Sequence, residues 1–443
     1  MSKLVIEESP LTPFLKRLCL YCGGGPFLDG YILVIIGAAL VQLSPHLQLD
    51  AYWAGMIGAA SLAGLFVGGL LGYLTDIFGR KVMYTLDLLV LGIGSILQMF
   101  ITTPLELVVL RFIIGIAVGV DYPIATTLLA EFAPRKHRGW MLGILMLAWF
   151  IGAAAANILG YFLLDVPGGW KWMLGSAAIP ATLLVIGRWG TPESPRWLLS
   201  KNRVDEARAA VKQVYGPDAD IDTIGQTVVE TRLSKLLEPM YLKRSILVCG
   251  FWMCQIVPLF AIYTFGPVIL AMFGLARGKD AMLGDIAISM FFVIGILQAL
   301  LLLNKVGRRP LIIWSFVFMT AGLLILGLFP DATSWVIIAG FAIYAVASGG
   351  PNILEWLYPN ELFPTEIRAT AVGIGTAVSR IGACVGTYSL PQWLQVYGLG
   401  TTMLIMAGIT FVGLVICIAL APETQGLTLA QAAGSDSTSG TDL

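Results

Sequence analysis

Long apolar segments constrain the fold of this chain more than any other feature of its sequence. Twelve stretches of about 20 residues or more run between short polar or turn-rich breaks. A helix of about 20 apolar residues is long enough to cross a bilayer. Only 12% of the residues are charged and 57% are hydrophobic, whereas about a quarter of the residues of a soluble protein are charged. The sequence therefore predicts an all-α membrane protein.

A polar stretch, 192–244, divides the twelve predicted helices into six plus six. We expect an N-terminal six-helix bundle (1–191), a cytoplasmic linker (192–244), a C-terminal six-helix bundle (245–421) and a disordered cytoplasmic tail (422–443). Apolar linker residues at helical spacing predict an amphipathic helix at the membrane face; they are Val204, Ala207, Val211 and Val214. The predicted helices span 20–43, 53–75, 82–102, 105–129, 139–164, 172–191, 245–273, 282–303, 310–329, 334–358, 369–395 and 399–421.

The positive charges are distributed unevenly between the two sides of this topology. With a cytoplasmic N-terminus, 22 of the 27 Lys and Arg residues fall in cytoplasmic segments and 3 fall in outer ones. The remaining two, Arg111 and Arg380, lie well inside predicted helices, whereas Arg188, at the cytoplasmic end of helix six, is counted with the linker. Because Lys and Arg are enriched in cytoplasmic loops, both termini are predicted to lie in the cytoplasm. The chain is expected in the cell membrane, inner or plasma.

Three motifs of the first half recur in the second half at nearly one offset. Their repetition at the ends of corresponding helices indicates two homologous six-helix halves. The pairs are Glu131-Phe-Ala-Pro134-Arg-Lys-His-Arg138 with Glu361-Leu-Phe-Pro364-Thr-Glu-Ile-Arg368, Gly79-Arg80-Lys81 with Gly307-Arg308-Arg309, and Pro192-Glu193 with Pro422-Glu423.

Together with Gly72-Tyr-Leu-Thr-Asp76 and Arg111, these motifs resemble the major facilitator superfamily, in the branch of sugar porters, synaptic-vesicle-glycoprotein-like proteins and bacterial metabolite:H+ symporters. The resemblance covers nearly the whole chain and implies twelve transmembrane helices in two pseudo-symmetric bundles that work by alternating access. Gly-Gly-Pro26-Phe-Leu-Asp29 and Gly-Val-Asp121-Tyr122-Pro123 are similar to metabolite:H+ symporters. Helix seven lacks the Q-Q-x-x-G-I-N run of sugar porters, which argues against a hexose site.

The resemblance also implies a cytoplasmic charge network that clamps the two halves in one state of the transport cycle. Charges at helix ends can form pairs that exist in only one arrangement and so bias a two-state switch. The alternative is that they only flank helices and set the topology. The residues of this gating network are Asp76, Arg80, Glu131, Arg138, Glu193, Arg196, Glu361 and Arg368.

Two carboxyl groups inside predicted helices are candidates for proton coupling. Asp29 in helix one and Asp121 in helix four lie at similar depth, so they could share one site. A carboxyl that is poorly solvated or close to another carboxyl binds a proton more readily. Arg111, about 15 Å along the helix from Asp121, would compete with the proton for Asp29 or else pair with it structurally. Sodium bound by Asp29 stays open as an alternative.

A second set of side chains is predicted to contact the substrate. Arg380, near the middle of helix eleven, would bind an anionic group through its guanidinium fork, or would form a structural ion pair with Glu355. Proline breaks near these positions are typical of carriers that expose backbone to substrate. The predicted substrate-binding residues are Arg380, Tyr122, Trp149, Gln255, Tyr263 and Glu355.

These features predict a secondary transporter that moves a small polar, anionic organic metabolite together with protons. A sugar or polyol:H+ symporter, an exporter of organic cations or drugs, and a receptor that kept the fold are the alternatives. An enzyme is not expected, because the sequence lacks nucleotide-loop and metalloprotease motifs. We also expect no metal, no cofactor and no nucleic-acid partner. The expected partners are the substrate, protons and the bilayer, and the expected state is a monomer.

Overall fold

The computed structural model describes residues 12–71, 74–132, 135–188, 191–216, 236, 238–274, 279–427 and 431–432, apart from some side chains within these ranges. Every regular element in them is helical. The elements are α1 Pro13–His46, α2 Ala51–Leu70, α3 Leu74–Phe78, α4 Arg80–Leu97 followed by a 3-10 turn Gln98–Phe100, α5 Pro104–Phe132, α6 Arg135–Leu163, α7 Gly169–Gly175, α8 Ala178–Gly187, α9 Pro195–Ser200, α10 Val204–Tyr215, α11 Pro239–Met272, α12 Lys279–Val306, α13 Arg308–Leu328, α14 Ser334–Ala347, α15 Gly349–Leu362 and α16 Thr365–Leu420.

The helices account for all twelve predicted membrane segments. Within the described residues, ten helical stretches are long and apolar enough to cross a membrane. One of them, Thr370–Leu420, contains two predicted segments, because α16 is interrupted at Gly398. Gly398 has φ of 76°, a left-handed conformation that glycine adopts without a steric penalty. The twelfth predicted segment is α5, which is 29 residues long. The prediction of an all-α protein is confirmed.

Several helix bounds differ from the prediction. Predicted helix one begins seven residues earlier, at Pro13, because Leu15 and Leu18 are buried while Lys16 and Arg17 point to solvent. Predicted helix six is two helices, α7 and α8, and predicted helix ten is α14 and α15, which continue to Leu362. Hydropathy detects the apolar run but not a break inside it, so neither break was predicted.

The chain forms two compact units: residues 1–43 with 63–227, and residues 44–62 with 228–443. In the first unit, α10 is the predicted amphipathic helix. It buries Ala207, Val211 and Val214, whereas Val204 is 43% exposed. Val214 joins a core that contains Leu15 of α1 and other apolar residues of α5 and α6. This part of the linker thus packs on the first bundle, while 217–235 and most of the predicted tail lie outside the described residues.

In the second unit, α11 bends in its last quarter. Phe265 has φ of −119° and ψ of 16°, which is not helical, and it lies between Pro258 and Pro267. Proline lacks a backbone N–H and its ring displaces the preceding turn, which explains a bend at this position. The second unit also includes the first part of α2, up to Leu62.

Candidate proton and substrate sites

Glycine residues bring α1 close to α5 and α6 in the first unit. A Cβ atom added at Gly25 of α1 would lie 2.2 Å from Oδ2 of Asp121. A Cβ added at Gly30 would lie 2.1 Å from the carbonyl oxygen of Trp149 on α6, and one at Gly152 would lie 1.9 Å from that of Phe27. Only glycine allows helices to approach this closely. The carboxyl group of Asp121 therefore rests directly on α1.

Three buried carboxyl groups form a chain in this unit. The carboxyl group of Asp121 on α5 lies within hydrogen-bonding reach of Asp29 of α1 on one side and of Asp87 of α4 on the other. All three residues are at most 3% exposed. Apart from these carboxyl groups, no described N–H or O–H group donates to the oxygens of Asp121. The structure thus brings together both predicted proton-coupling acids and adds a third, Asp87.

Arg188, at the end of α8, supplies a positive charge to this chain of acids. It interacts electrostatically with Asp121 and Asp87. Its guanidinium lies 3.1 Å from the ring centre of Tyr84 and donates to the carbonyl oxygens of Tyr84 at 3.2 Å and of Tyr21 at 2.7 Å. Arg188 is 7% exposed, although its sequence position suggested a charge in the cytoplasmic loop.

Pro26 explains a further contact in this region. Because proline has no N–H, the carbonyl oxygen of Cys22, one turn earlier, loses its helical partner. The hydroxyl group of Tyr84 donates to this oxygen at 3.4 Å and to that of Tyr21 at 3.3 Å. Backbone oxygens of α1 near Pro26 thus accept hydrogen bonds from the side chains of Tyr84 and Arg188.

Arg111, the third residue predicted for proton coupling, does not join the carboxyl chain. It is 1% exposed on α5, and its Nε and Nη1 atoms have no hydrogen-bond partner among the described residues. The guanidinium of Arg111 is buried and interacts electrostatically with no described acidic side chain. Within the described residues, the cation beside the carboxyl groups is Arg188 rather than Arg111.

The second unit contains a separate buried polar set on α11, α15 and α16. Gln255 donates through Nε2 to Oδ1 of Asn352 at 2.8 Å, and Asn352 donates to the carbonyl oxygen of Ser348 at 2.8 Å. One turn along α15, Glu355 interacts electrostatically with Arg380 of α16. All of these side chains are at most 5% exposed. Three of the predicted substrate-binding residues, Gln255, Glu355 and Arg380, are thus brought into one unit.

Aromatic rings flank this polar set, and two buried acceptor atoms in it lack a described hydrogen-bond donor. Trp356 donates from Nε1 to Glu355 Oε1 at 3.1 Å and packs edge-on against Trp252 at 5.3 Å between ring centres. The Arg380 guanidinium lies 5.7 Å from the ring centre of Phe260. Oε1 of Gln255 and Oε2 of Glu355 find no hydrogen-bond donor among the described residues. These oxygens can accept hydrogen bonds from a ligand.

The other predicted substrate-binding residues are placed differently. Trp149 is buried on α6 in the first unit, beside α1. Tyr263 lies on α11 in the second unit, eight residues beyond Gln255, and its ring stacks on Phe292 at 4.7 Å. The side chain of Tyr122 lies outside the described residues.

Glu193, a member of the predicted gating network, binds the start of a helix. Its carboxylate accepts hydrogen bonds from the backbone N–H of Arg80 at 3.1 Å and of Lys81 at 3.0 Å. These are the first two residues of α4, whose N–H groups have no partner inside the helix. A Cβ on Gly79, which has φ of 99°, would lie 2.5 Å from this carboxylate.

Glu423 makes the equivalent contacts in the second unit. Its carboxylate accepts from the backbone N–H of Arg308 at 3.0 Å and of Arg309 at 3.1 Å, at the start of α13. Gly307, with φ of 93°, leaves the space for it. Partial burial raises the pKa of Glu423, but hydrogen bonds from four backbone N–H groups outweigh it, so the pKa is lower than usual.

Glu361 and Arg308 form a partly buried ion pair in the same region. Arg308 Nη2 lies 2.9 Å from Glu361 Oε1, and the hydroxyl group of Thr424 donates to Glu361 Oε2 at 2.5 Å. Arg368 donates to the carbonyl oxygen of Phe363 at 3.2 Å, and burial lowers its pKa. The remaining members of the predicted network have side chains outside the described residues; they are Asp76, Glu131, Arg138 and Arg196.

Sequence reasoning missed several of these residues. Asp87 lies six residues inside predicted helix three, and a charge within an apolar run was a signal that should have marked it. The same signal marks Asp285, in predicted helix eight. Arg188 was misjudged because it lies close to the end of an apolar run. Asn352 carries no charge, so nothing in the sequence marked it. Only its hydrogen bond with Gln255 in the structure shows that it belongs to the polar set.

Comparison with known proteins agrees with the fold and the motifs. The model of the sugar (and other) transporter family matches residues 19–434. The metabolite transport protein YaaU of Escherichia coli is 49% identical over 426 residues, with 96% of each chain covered. The glucose transporter GlcP of Staphylococcus epidermidis is 30% identical over 421 residues, covering 91% of this chain and 93% of GlcP.

The xylose transporter XylE from Escherichia coli, in a partially occluded inward-open conformation, has the same fold. The TM-score is 0.80 at 22% identity, with 94% of this chain and 100% of XylE covered. The relatives are transporters and not enzymes. This chain therefore belongs to the sugar (and other) transporter family of the major facilitator superfamily, and it is a membrane transporter of metabolites or sugars.

Proposed function

We propose that the protein is a proton-coupled symporter of a small, polyhydroxylated organic metabolite. The carboxyl chain of the first unit binds the proton, and the polar set of the second unit binds the substrate. The observation that carries the proposal is the chain Asp29, Asp121 and Asp87, because buried carboxyl groups this close to one another are stabilised when they share protons. XylE, which has the same fold, is described as a proton:xylose symporter.

The number of protons follows from the contacts. Asp121 touches a carboxyl group on each side, and a hydrogen bond between two carboxyl groups needs a proton in it. Three carboxyl groups with two protons leave one negative charge, which the guanidinium of Arg188 balances. Loss of one more proton would leave two negative charges on neighbouring buried carboxyl groups, which repel each other. We infer that this proton is the one exchanged during transport.

The polar set of the second unit suits hydroxyl groups. Gln255 and Glu355 offer open acceptor oxygens, and the rings of Trp252 and Trp356 flank them. Because Glu355 lies beside Arg380, the positive charge available to an anion is reduced. A neutral sugar or polyol therefore fits these side chains better than a simple carboxylate, and GlcP, at 30% identity, is a glucose transporter.

An anionic metabolite such as a sugar acid is the second candidate. Arg380 is only 3% exposed, and a buried guanidinium can bind a carboxylate through two parallel hydrogen bonds. If Glu355 takes up a proton, the full charge of Arg380 becomes available to the substrate. Binding of an anion would then become stronger as the pH falls.

The charge distribution supports the orientation that we propose, with both termini in the cytoplasm. By analogy with bacterial relatives, the protein would lie in the cell membrane. Protons that move down their gradient would then carry the substrate inward. We further propose that the gating network closes the cytoplasmic side in one state of the cycle, and that the transporter works as a monomer.

Thermal stabilisation of the purified protein tests the substrate class. A ligand that binds only the folded state raises the melting temperature. The panel comprises neutral sugars and polyols, sugar acids and organic cations, each measured at two pH values. Stabilisation by a neutral sugar that is lost in Gln255→Ala and kept in Gln395→Ala, an exposed residue of α16, supports the first candidate. Stabilisation by sugar acids alone, lost in Arg380→Ala, would select the second candidate.

Uptake into proteoliposomes with the identified substrate tests proton coupling. An inward proton gradient should drive accumulation, and Asp121→Asn should retain substrate exchange but lose accumulation against a gradient. The exposed Asp331→Asn is the matched control. Accumulation that Asp121→Asn leaves intact, or that follows a sodium gradient instead, would contradict the proposal.

A further inference from the structure

Asp285 of α12 is a buried acid outside both sites described above. It is 2% exposed, and its Oδ2 atom has no hydrogen-bond partner among the described residues. Among the described residues, the titratable group that interacts with it electrostatically is the phenol of Tyr263 on α11, which in turn interacts with Tyr344 of α14 and with Ser289 of α12. No described residue pairs a positive charge with Asp285. A buried carboxylate without a partner is costly, so the surroundings favour its neutral form.

Asp285 rests on the bend of α11. A Cβ atom added at Gly266 would lie 2.0 Å from Asp285 Oδ1 and 2.8 Å from its carboxyl carbon. Gly266 lies between the non-helical Phe265 and Pro267. Pro267 has no N–H for the carbonyl oxygen of Tyr263, so the helix is already weakened at this turn. The carboxyl group thus packs against a turn of α11 that is not helical at Phe265 and lacks a helical hydrogen bond.

The opposite side of the bend packs against α2. A Cβ added at Gly58 would lie 2.9 Å from the methyl carbon of Thr264 and 3.3 Å from the ring of Phe265. At Gly55, a Cβ would lie 2.4 Å from the carbonyl oxygen of Tyr388 on α16. These residues all belong to the second unit. A shift of the bend would therefore change the packing of α2 on α11 and α16 directly.

We propose that Asp285 is a second proton-binding site, whose neutral form holds the bend of α11 against the Ala51–Leu62 part of α2. Loss of the proton places a charge between α11 and α12, where no described cation compensates it. Water must then reach the carboxylate. Water can enter if the bend moves away from α12, which disturbs the contacts of Thr264 and Phe265 with Gly58.

This inference goes beyond the proposed function, because the site is distinct from the carboxyl chain of the first unit. It concerns how the protein responds to pH in the absence of substrate. The failure of Asp121→Asn in uptake, or of a sugar to bind, would leave it unaffected. It can be tested on a protein that transports nothing.

Cys384 reports on this packing. Its Sγ atom lies 3.8 Å from the carbonyl oxygen of Ala59 on α2, and the thiol is half-buried. In a protein that keeps Cys384 as its single cysteine, alkylation by N-ethylmaleimide is measured without substrate between about pH 5.5 and pH 8.5, and compared with the same protein carrying Asp285→Asn. The amide imitates the neutral acid. Ionisation of the thiol affects both proteins equally and cancels in the ratio of their rates.

We divide the alkylation rate of Cys384 in the protein with Asp285 intact by the rate in the Asp285→Asn variant. This ratio should be near one at low pH. It should rise by about tenfold at high pH, the population change that corresponds to about one unit of difference in proton affinity between the two packings. A ratio that stays constant over the whole range would overturn the proposal. Asp331→Asn, an exposed acid of the same unit, should behave like the unaltered protein; an equal effect of this change would point to general charge and would also overturn the proposal.

If Asp285→Asn does not fold, alkylation of two different cysteines in proteins that keep Asp285 still tests the proposal. A parallel protein keeps only Cys249, another half-buried thiol of the second unit. Alkylation of Cys384 should increase more steeply with pH than alkylation of Cys249. Parallel increases would show that only thiol ionisation changes, and the proposal would be wrong.

Discussion

Glu193 and Glu423 bind the same two backbone positions in their respective units. Each carboxylate accepts hydrogen bonds from the first two N–H groups of a helix, α4 for Glu193 and α13 for Glu423. In each case a glycine with positive φ precedes the helix and leaves room for the carboxylate. The repeat seen in the sequence is therefore a repeat of one interaction. Its immediate role is to cap a helix within a unit, whatever it contributes to gating.

Removal of either carboxylate should destabilise the protein. Glu193→Gln and Glu423→Gln weaken a cap at a helix N-terminus, where a negative charge is favourable, and caps contribute on the order of 1 kcal/mol. The melting temperature of the purified protein should fall in both variants. Glu206→Gln is the control, because Glu206 makes only an exposed pair with Arg203, which contributes little. Equal melting temperatures of all three variants would contradict the capping role.

The contribution of Glu423 should depend on pH. Its pKa in the folded protein is lowered, because four backbone N–H contacts outweigh its partial burial. The carboxylate therefore stabilises the fold at pH values above its unfolded pKa, and this stabilisation is lost as the pH falls through the folded pKa. The difference in melting temperature between the unaltered protein and Glu423→Gln should be largest near neutral pH and should shrink on acidification. A difference in melting temperature that grows on acidification would show that Glu423 does not stabilise the fold through its charged form.

The ion pair of Arg308 and Glu361 should contribute more than the exposed pair of the linker. Side chains of Arg308 and Glu361 are 14% and 12% exposed, and Thr424 also donates to Glu361. Arg308→Ala leaves a largely buried carboxylate without its cation, which we expect to cost about 3 kcal/mol. Arg203→Ala in the linker should have a much smaller effect, because its pair with Glu206 is exposed to solvent. The melting temperatures of the two variants measure which substitution destabilises the protein more. A larger decrease for Arg203→Ala than for Arg308→Ala would contradict the prediction.

Gly25→Ala should disturb the carboxyl chain without changing any charge. The added methyl group would lie 2.2 Å from Asp121 Oδ2, so the carboxyl group or α1 must move, at a cost of about 1 to 3 kcal/mol. We expect a lower melting temperature and a loss of proton-driven accumulation. Gly69→Ala in α2 is the matched control, since nothing lies within 4 Å of its added Cβ. Normal accumulation in Gly25→Ala would show that the Gly25–Asp121 contact is not needed for coupling.

Much of the fold follows from local properties that the sequence shows directly. Each segment that crosses the bilayer must be apolar over its own length, and the loops between such segments carry their own charges. The twelve helices and the amphipathic helix α10 could therefore be predicted, as could the pairing of Glu193 with Glu423 as equivalent positions. The breaks between α7 and α8 and between α14 and α15 could not, since an apolar run has the same hydropathy whether or not its backbone is continuous.

The composition of the sites depended on packing between distant segments. Asp87, Asp121 and Arg188 lie on three helices, and only the approach of those helices makes one carboxyl chain with one cation. Arg111 seemed equally suited in the sequence, but the structure does not bring it to these acids. Asp285 meets Gly266 for the same reason. The sequence alone determined which segments enter the membrane, because that free energy is local to each segment. Which buried charges lie close enough to interact was decided only by the tertiary structure, because that free energy depends on distances between helices.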